Sequence, residues 1–437
     1  MDFTRRRFLQ GVGAAGLAMG LERCGGGGGQ KPTPRPSKPI LVIVNIDGGN
    51  DWLNTMPPLS GSNRTVYDAM RPSLGIPGTG AAADDLGGGI GLNKDFYGMY
   101  ELSTLGRIAW IPGIGMPNPN LSHFVSIDLW GQGAATPNNT GWLGRFADSA
   151  FSPSGDVLRG LTVTNDLPVM LRGSSRSFVS ITNSSGYVYP AMLRSGRLSA
   201  SQWDTQAIED AYGAAVSAPV DPSAPPGLAF AEAVGKQFFD AQNGFGTDGS
   251  LAPRTPSLPY PGDAGYPLTG IPTSLANQLK LVAQMLANGI DGEVFFTRLG
   301  GFDTHGNQAT DHPRLMRALG GSIRAFYEDL GSVDTPFGNA MERTLILAYS
   351  EFGRRVPENQ GGTDHGTAGL AFCVGRGVSG GMMSNYPDLR DLDGNQNMKY
   401  TVDFRSLYAT VLEGWLGRSA AETDAILGAT YPRLGFV

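Results

Sequence analysis

The sequence predicts an α/β protein with a doubly wound, mostly parallel central sheet that is flanked by helices. Residues 40–46 read Ile-Leu-Val-Ile-Val-Asn-Ile, a nearly continuous apolar run typical of a strand buried on both faces. Further apolar runs follow along the chain, and stretches with helical spacing of apolar residues lie between several of them. Strands that alternate with helices in this way favour a parallel sheet.

The predicted strands share a position beside polar loops. We expect strands over residues 40–46, 107–112, 292–299, 343–350 and 369–374, and helices over residues 274–288, 312–330 and 403–416. Most of these strands end in a polar loop. Because ligands of a doubly wound sheet bind outside the carboxyl ends of its strands, we expect the functional site at that edge.

The middle of the chain differs in composition from the rest. Residues from about 140 to 272 are rich in serine, proline and glycine, with only short strand-like and helical stretches. We interpret this segment as an inserted cap region over the sheet edge. It belongs to one α/β domain that covers residues 40–437.

The N-terminus carries a targeting pattern, which we exclude from the fold. Arg5-Arg6-Arg7-Phe8-Leu9 and the short glycine-rich stretch after it predict a twin-arginine signal peptide over residues 1–24, with ordinary secretion as the alternative. That stretch is too short for a transmembrane span. Residues 25–39 form a glycine- and proline-rich tether. We therefore expect export by the twin-arginine machinery to a periplasmic or extracellular location.

The cysteine content and the net charge limit which anchors, cross-links and binding partners are compatible with the chain. Cys24 precedes five glycines, which allows a lipid anchor, although Leu21-Glu22-Arg23 before it is a poor acylation signal. The other cysteine, Cys373, lies in an apolar run, so we expect no disulfide framework. A net charge of −6 with 16% charged residues argues against a nucleic-acid partner.

Histidine and carboxylate residues mark the predicted site. The chain has only four histidines. Asp303 and His305 follow the third predicted strand, Glu351 follows the fourth, and Asp364-His365 precedes the fifth. Imidazole and carboxylate groups are the usual ligands of zinc and of harder divalent ions. We therefore predict a divalent metal, zinc first, with calcium, magnesium or manganese as alternatives.

Two aspartates after the first strand are further candidate metal ligands. Asp47 begins a polar glycine turn that lets the backbone approach an ion, although a plain Asp-Gly turn would look the same. Asp51, four residues on, is a second candidate ligand or a helix cap.

Ser122 and Arg354 are the candidate catalytic residues. Ser122 lies at an expected helix start, where the helix dipole and free N–H groups favour a nucleophile, and an ordinary N-cap serine is the alternative. Arg354 follows Glu351 by three residues and suits an oxyanion, unless the two form only a local ion pair. His312 precedes Pro313 at another expected helix start, so it is a candidate ligand or a capping residue.

Seven sequence blocks together resemble the family known as domain of unknown function 1501, over essentially the whole chain after the tether. The blocks are Asp47–Pro57, Ser122–Phe124, Gly141–Arg145, Gly301–His305, Ser350–Arg355, Thr363–Gly366 and Asp403–Arg405. This family looks like part of the alkaline phosphatase and sulfatase superfamily. The resemblance implies an alkaline phosphatase-like fold.

The superfamily layout also implies roles for individual residues. Asp47, Asp303, His305 and His365 would be metal ligands, Ser122 the nucleophile, and Glu351 the residue where an Asp-His pair normally supplies a second metal. The Asp303-x-His305 spacing and the Ser350-Glu351 pair depart from the superfamily pattern. The expected function is metal-dependent hydrolysis of a small anionic phosphate or sulfate ester. The alternative is a catalytically inactive surface protein that uses the fold for binding or assembly.

Overall fold

Continuous apolar runs form the strands at the centre of the structure. The structure is a computed structural model, and it describes residues 38–78, 80, 82–134, 138–151, 157–176, 178–182 and 251–437. The strands are β1 (Ile40–Ile46), β2 (Ala83–Gly87), β3 (Ile90–Asn93), β4 (Ile108–Gly115), β5 (Gly160–Thr162), β6 (Val179–Ser180), β7 (Val294–Leu299), β8 (Asp334–Thr335), β9 (Gly338–Asn339), β10 (Thr344–Tyr349), β11 (Gly369–Val374), β12 (Gly381–Met382) and β13 (Val402–Asp403).

The helices lie between these strands. They are α1 (Trp52–Thr55), α2 (Gly61–Met70), α3 (Met99–Thr104), α4 (His123–Gln132), α5 (Trp142–Ala150), α6 (Ser274–Ala287), α7 (Gln308–Leu330), α8 (Phe404–Thr410) and α9 (Ala420–Leu427). A π-helical stretch, Val411–Trp415, continues α8, and single 3-10 turns cover Val157–Arg159, Val169–Leu171 and Met341–Arg343.

The central sheet confirms the predicted α/β class with mostly parallel strands. Its described strands have the order β12-β4-β11-β10-β1-β7-β5-β6, and β13 also pairs with β4. β1 pairs in parallel with β10 and β7, with Ile40 opposite Thr344 and Leu41 opposite Val294. β11 is antiparallel to both β10 and β4, and the remaining pairs are parallel. The amino end of β11 therefore lies at the edge where its neighbours end.

Both faces of the sheet are covered by helices, as doubly wound folds require. On one face, Val42 and Val44 of β1 pack in a core with residues of α1, α2, α3, α6 and α7. On the other face, Leu41 and Ile43 pack with residues of α4, α5, α8 and α9. All seven β1 residues are buried, which explains why the run lacks polar alternation.

The predicted helices and the predicted insertion need small corrections. The helix expected over 312–330 begins at Gln308, and the one expected over 403–416 changes to π geometry at Val411. Within the segment of about 140–272, β5 pairs with β7 and β6 pairs with β5, so these residues extend the central sheet. Residues 183–250 of that segment lie outside the described residues.

The N-terminal predictions fall on residues that the structure does not describe. The signal peptide (1–24), Cys24 and most of the tether (25–39) lie in residues 1–37. In the described ranges, no helix combines the length and the hydropathy that a bilayer crossing needs.

Candidate metal centre

The loops at the carboxyl edge of the sheet bring distant residues together. Asp303 and His305 follow β7, Glu351 follows β10, and His365 precedes the antiparallel β11. α4, which begins at His123, follows β4 and joins them. His123 and Glu351, 228 residues apart in sequence, are in direct contact. The sequence predicts that Asp47, Asp303, His305, Glu351 and His365 converge at this edge, and the structure brings the last four of them together.

One carboxylate oxygen is the centre of this cluster. Asp303 Oδ1 lies 3.1 Å from His365 Nε2, 3.1 Å from His305 Nε2 and 3.4 Å from His123 Nε2. The Nε2 atoms of His305 and His365 are 2.9 Å apart. Ligand atoms of His123, Asp303 and His365 all lie within 4.8 Å of one another, a spacing that could hold a metal ion.

The opposite nitrogen of each ring faces a hydrogen-bond acceptor. His123 Nδ1 lies 2.6 Å from Glu351 Oε1, His365 Nδ1 lies 2.7 Å from the Leu121 carbonyl, and His305 Nδ1 lies 3.4 Å from Asp364 Oδ1. A neutral imidazole has one N–H and one lone pair. Because the acceptors favour the proton on Nδ1, the neutral rings direct three Nε2 lone pairs towards Asp303.

This arrangement fits a divalent cation. A lone pair and a carboxylate oxygen about 3 Å apart repel each other unless a proton or a cation lies between them. His123 Nε2 is buried and has no hydrogen-bond partner among the described residues. Imidazole nitrogens with carboxylate oxygen are a zinc-type ligand set, and acceptors behind the histidines are its usual outer partners.

The electrostatics of the cluster follow from the same contacts. The hydrogen bond to Glu351 raises the pKa of His123. Partial burial tends to raise the pKa of Asp303, but the hydrogen bond from the Arg354 guanidinium and its positive charge outweigh this effect and hold that pKa well below the usual range. Asp303 is therefore ionised over the whole physiological range and can serve as a ligand.

Aromatic packing fixes two of the imidazole rings. The buried Phe352 ring lies 4.8 Å from the His123 ring and 4.9 Å from the His365 ring, measured between centroids. Farther along α4, Trp130 stacks on Tyr349 of β10 with centroids 5.2 Å apart. The Trp130 stack holds α4 on the sheet, so His123 has a defined position relative to the β10 loop.

Arg354 is buried and joins neighbouring loops by hydrogen bonds, so its guanidinium group is not exposed to a substrate. Its side chain is fully buried. Nε donates to the Gly49 carbonyl at 2.6 Å and Nη1 to the Thr363 carbonyl at 2.8 Å. Nη2 donates to the carbonyls of Gly48 and Phe302 and to Asp303 Oδ1. These contacts correct the prediction of an oxyanion-binding Arg354, because its donors are already used within the protein.

Gly48 allows two of these loops to approach closely. Its φ of +119° is in the region that favours glycine, and a Cβ there would lie 2.4 Å from the Asp303 backbone nitrogen. Its own N–H donates to Glu351 at 3.0 Å. The glycine turn after β1 thus brings the β1, β7 and β10 loops into one cluster.

The family whose profile matches the chain is described as "Protein of unknown function (DUF1501)", and the match covers residues 109–431. The chain belongs to the DUF1501 family. This confirms the resemblance deduced from the motifs. No curated protein sequence matches the chain.

Several solved structures are distantly similar to this DUF1501 protein. The C-terminal periplasmic domain of EcEptC from Escherichia coli, in complex with Zn, has 8% identity and a TM-score of 0.35, with 89% of this chain and 87% of that chain covered. BT1596, a 2-O GAG sulfatase, has 14% identity and a TM-score of 0.29, with 79% and 66% covered. The alkaline phosphatase PafA has 10% identity and a TM-score of 0.30, with 74% and 64% covered.

Two predicted metal ligands, Asp47 and Asp51, are not in contact with the histidines of the cluster. Asp47 is half-buried, its carboxylate makes no hydrogen bond or ion pair with the described residues, and burial followed by the charge of Glu351 raises its pKa. It therefore flanks the cluster without joining it. Asp51 is buried, accepts hydrogen bonds from Arg71 at 2.5 Å and from Gln308, and keeps a lowered pKa although burial opposes this. Asp51 is thus a structural ion-pair partner, which corrects its prediction as a ligand.

Glu351 and Asp364 lie behind the ligating atoms. Glu351 is buried and accepts hydrogen bonds from His123, from the Gly48 N–H and from Ser350 Oγ. Asp364 is half-exposed, accepts from Asn359 at 2.9 Å and faces His305. Both carboxylates orient histidines in this arrangement, in place of the direct ligation that the sequence predicted.

Ser122 is the residue before α4. Its side chain is exposed and makes no capping hydrogen bond, while its backbone N–H donates to Asn120 Oδ1 at 2.8 Å. No base among the described residues lies within hydrogen-bond distance of its hydroxyl. The adjacent His123, and not Ser122, contacts the cluster.

Sequence reasoning missed His123 and Phe352 as site residues. No sequence pattern marked His123 as a ligand, although it is one of four histidines and lies in the Ser122–Phe124 block. That scarcity was the available signal. His312, the fourth histidine, is buried in α7 with Nε2 3.0 Å from Asn50 Oδ1, outside the cluster.

Proposed function

We propose that this DUF1501 protein is an exported, metal-dependent hydrolase of phosphate or sulfate esters with an alkaline phosphatase-like fold. The observation that carries the proposal is the convergence of three imidazole Nε2 atoms on Asp303 Oδ1 while an acceptor faces each Nδ1. Side chains held with their lone pairs against a carboxylate are arranged for a cation.

The residues of the cluster have separate tasks in this proposal. His123, Asp303 and His365 hold the divalent ion, zinc in the first instance, and His305 lies at the exposed side. When bound, such an ion stabilises negative charge on the ester oxygens and activates water. Glu351 and the Leu121 carbonyl accept from the Nδ1 atoms of His123 and His365, and this keeps the Nε2 atoms of those two rings directed at the position of the metal ion.

Ser122 is the attacking group that we propose. Its exposed hydroxyl lies just before the first turn of α4, where free backbone N–H groups favour a transferred anion. Its oxygen would form the new bond to phosphorus or sulfur as the ester oxygen leaves, its proton would pass to solvent, and solvent would return a proton to the leaving oxygen. Attack of water on the resulting serine ester would then release phosphate or sulfate and restore the hydroxyl. Water is the competing nucleophile.

Metal content tests the proposal. We expect protein purified from its native host to carry about one divalent ion per chain, and Asp303→Asn to lose most of it. Asp166→Asn is the matched control, since Asp166 forms an ion pair with Arg298 at 3.0 Å and contacts none of the histidines. If wild-type protein contains no divalent metal and a chelator does not change its melting temperature, the metal proposal is wrong.

Substrate class is tested separately. Wild-type and Asp303→Asn proteins are assayed against aryl phosphate monoesters, aryl phosphate diesters and aryl sulfates. We expect turnover of one class, its loss in Asp303→Asn, and its retention in Asp166→Asn. Metal binding without turnover of any of these esters would refute the hydrolase proposal and leave the metal site intact.

A catalytically inactive binding protein is the second candidate. It is favoured by Ser122, which has no base within hydrogen-bond distance, and by Arg354, whose donors are used inside the protein. Protonation of the imidazoles could then replace the metal ion as the source of positive charge. This candidate predicts ester binding without hydrolysis, which equilibrium binding of the same esters would detect.

Export by the twin-arginine route is part of the proposal. Replacing Arg5 and Arg6 by lysine should keep the protein in the cytoplasm, while Arg23→Lys should not. Equal export of the double variant would favour ordinary secretion. Labelling with a radioactive fatty acid, with Cys24→Ala as the control, tests the lipid anchor.

A further inference from the structure

A charged cavity lies at the amino edge of the sheet, opposite the histidine cluster. Its volume is about 210 Å³. Lys38 lies two residues before β1, and Glu293, Arg159 and Arg343 immediately precede β7, β5 and β10. The π-helical stretch reaches the same edge, because Trp415 Nε1 donates to the Ile40 carbonyl at 2.9 Å. Its position and residues make this cavity independent of the proposed metal centre.

Positive charge dominates the cavity wall. Its charged lining residues are Lys38, Arg159, Arg343, Arg418, Asp291 and Glu293. Both carboxylates are already paired, Asp291 with Lys38 and Glu293 with Arg159, whose Nε lies 3.1 Å from Glu293 Oε2. The two remaining guanidinium groups therefore give the wall a net positive charge.

Arg343 is the strongest sign of a missing anion. It is only 5% exposed, and it donates to neutral acceptors, the Lys38 carbonyl and Thr335 Oγ1, each at 2.7 Å. No carboxylate of the described residues forms an ion pair with it. Burial lowers its pKa, which Asp291 and Glu293 offset only in part. A nearly buried cation without an anionic partner is costly, so an external anion would stabilise it.

Arg418 presents a second guanidinium to the cavity. Its ion-pair partner is the exposed Glu422, at 3.3 Å. The other oxygen of that carboxylate accepts a hydrogen bond from the Ser419 N–H at 2.7 Å. Arg418 Nε is buried and has no hydrogen-bond partner among the residues described. Arg343 and Arg418 thus both retain capacity for an anion.

We infer that this cavity binds a phosphate group, from inorganic phosphate, a phosphate ester or the headgroup of an anionic phospholipid. The planar donors of guanidinium groups match phosphate oxygens. The cavity of about 210 Å³ has room for one phosphate group with some hydration. Lys38 lies at the end of the predicted tether of residues 25–39, so the cavity is close in sequence to the segment that would link a lipid anchor at Cys24 to the domain.

Calorimetric titration with inorganic phosphate tests this inference. The titration uses full-length protein with Asp303→Asn and chelator present, so that the metal centre does not contribute. We expect Arg343→Gln and Arg418→Gln each to weaken phosphate binding by at least about fivefold. Arg376→Gln is the matched control, since Arg376 pairs with the exposed Glu342 at 2.7 Å and does not line the cavity. It should change the affinity less than about twofold.

The phospholipid source needs a second measurement. Sedimentation with vesicles of phosphatidylglycerol, compared with phosphatidylcholine, should show binding that the Arg418→Gln substitution weakens. Arg418 is partly exposed, so this variant keeps the test valid if Arg343→Gln fails to fold. The inference is wrong if neither phosphate nor anionic vesicles bind, or if binding is the same in Arg418→Gln and Arg376→Gln.

Discussion

Glu351→Gln should weaken divalent-metal binding without removing any proposed ligand. Glu351 accepts hydrogen bonds from His123 Nδ1 at 2.6 Å, from the Gly48 N–H at 3.0 Å and from Ser350 Oγ at 3.0 Å. A hydrogen bond to a charged group contributes about 1.5–3 kcal/mol, against about 0.5–1.5 kcal/mol for a neutral one. Loss of the charge at Glu351 should therefore weaken its hydrogen bond to His123 by about 1–2 kcal/mol and make metal binding through His123 less favourable by the same amount.

That free energy corresponds to roughly a 5- to 30-fold weaker metal affinity, at about 1.4 kcal/mol per tenfold. The pKa of His123, which Glu351 raises, should fall in the metal-free variant. Competition with a coloured chelator measures the affinity, and NMR titration of the imidazole measures the pKa. Both measurements are needed because the glutamine amide also disturbs the buried contact with Ser350, and only the pKa of His123 reports directly on the Glu351–His123 hydrogen bond.

Glu358→Gln is the matched control. Glu358 lies in the same stretch after β10 and accepts hydrogen bonds from the Ser73 N–H at 3.0 Å and the Leu74 N–H at 2.6 Å. It contacts none of the histidines, so its substitution should alter stability but not metal affinity. Equal metal affinity in wild-type and Glu351→Gln proteins would refute the idea that Glu351 acts through His123.

Three further predictions address other residues. Ser122→Ala should abolish ester turnover and change the free energy of unfolding by less than about 0.5 kcal/mol, because its side chain makes no capping hydrogen bond; retained turnover would leave water as the nucleophile. Asp51→Asn should destabilise the fold by about 3 kcal/mol in denaturant titration, since it removes the charge paired with buried Arg71, and a change below about 1 kcal/mol would contradict this. Burial lowers the pKa of His312 to about 4, so its neutral form stabilises the fold above the unfolded pKa of about 6.5 and this stability is lost as pH falls towards 4. His312→Gln should reduce the pH dependence of unfolding between pH 6.5 and 4 by about 2–3 kcal/mol, measured in chelator, and an unchanged dependence would contradict the assignment.

The sequence predicted the sheet well because its pattern is a local property. β1 and β10 are buried on both faces, so each appears as an uninterrupted apolar run whatever its neighbours are. The loops that follow such strands must meet at one edge if the strands are parallel, and Asp303, His305 and Glu351 could be expected together on that ground alone. The direction of β11 was not readable, yet it decides that His365, which precedes the strand, reaches the same edge.

The roles within the cluster could not be predicted, because they depend on contacts between distant parts of the chain. Glu351 looked like a ligand, but α4 places His123 between it and Asp303. Arg354 looked like a partner for Glu351 or for a substrate, yet two of its acceptors, Gly48 and Gly49, lie about 300 residues earlier. No local pattern distinguishes an arginine that binds a substrate from one that joins loops.

The charge around the cluster bears on how an anionic ester could bind there. The groups concerned are the carboxylates of Asp47, Asp303, Glu351 and Asp364 and the guanidinium groups of Arg354 and Arg355. With neutral histidines, the site therefore carries excess negative charge and should repel a phosphate or sulfate ester. A bound divalent ion would cancel that excess negative charge and place a local positive charge beside the ester. If the protein is a hydrolase, ester affinity should therefore depend on prior metal binding, whereas a binding protein that relies on protonated histidines should bind esters more tightly as pH falls, with or without metal.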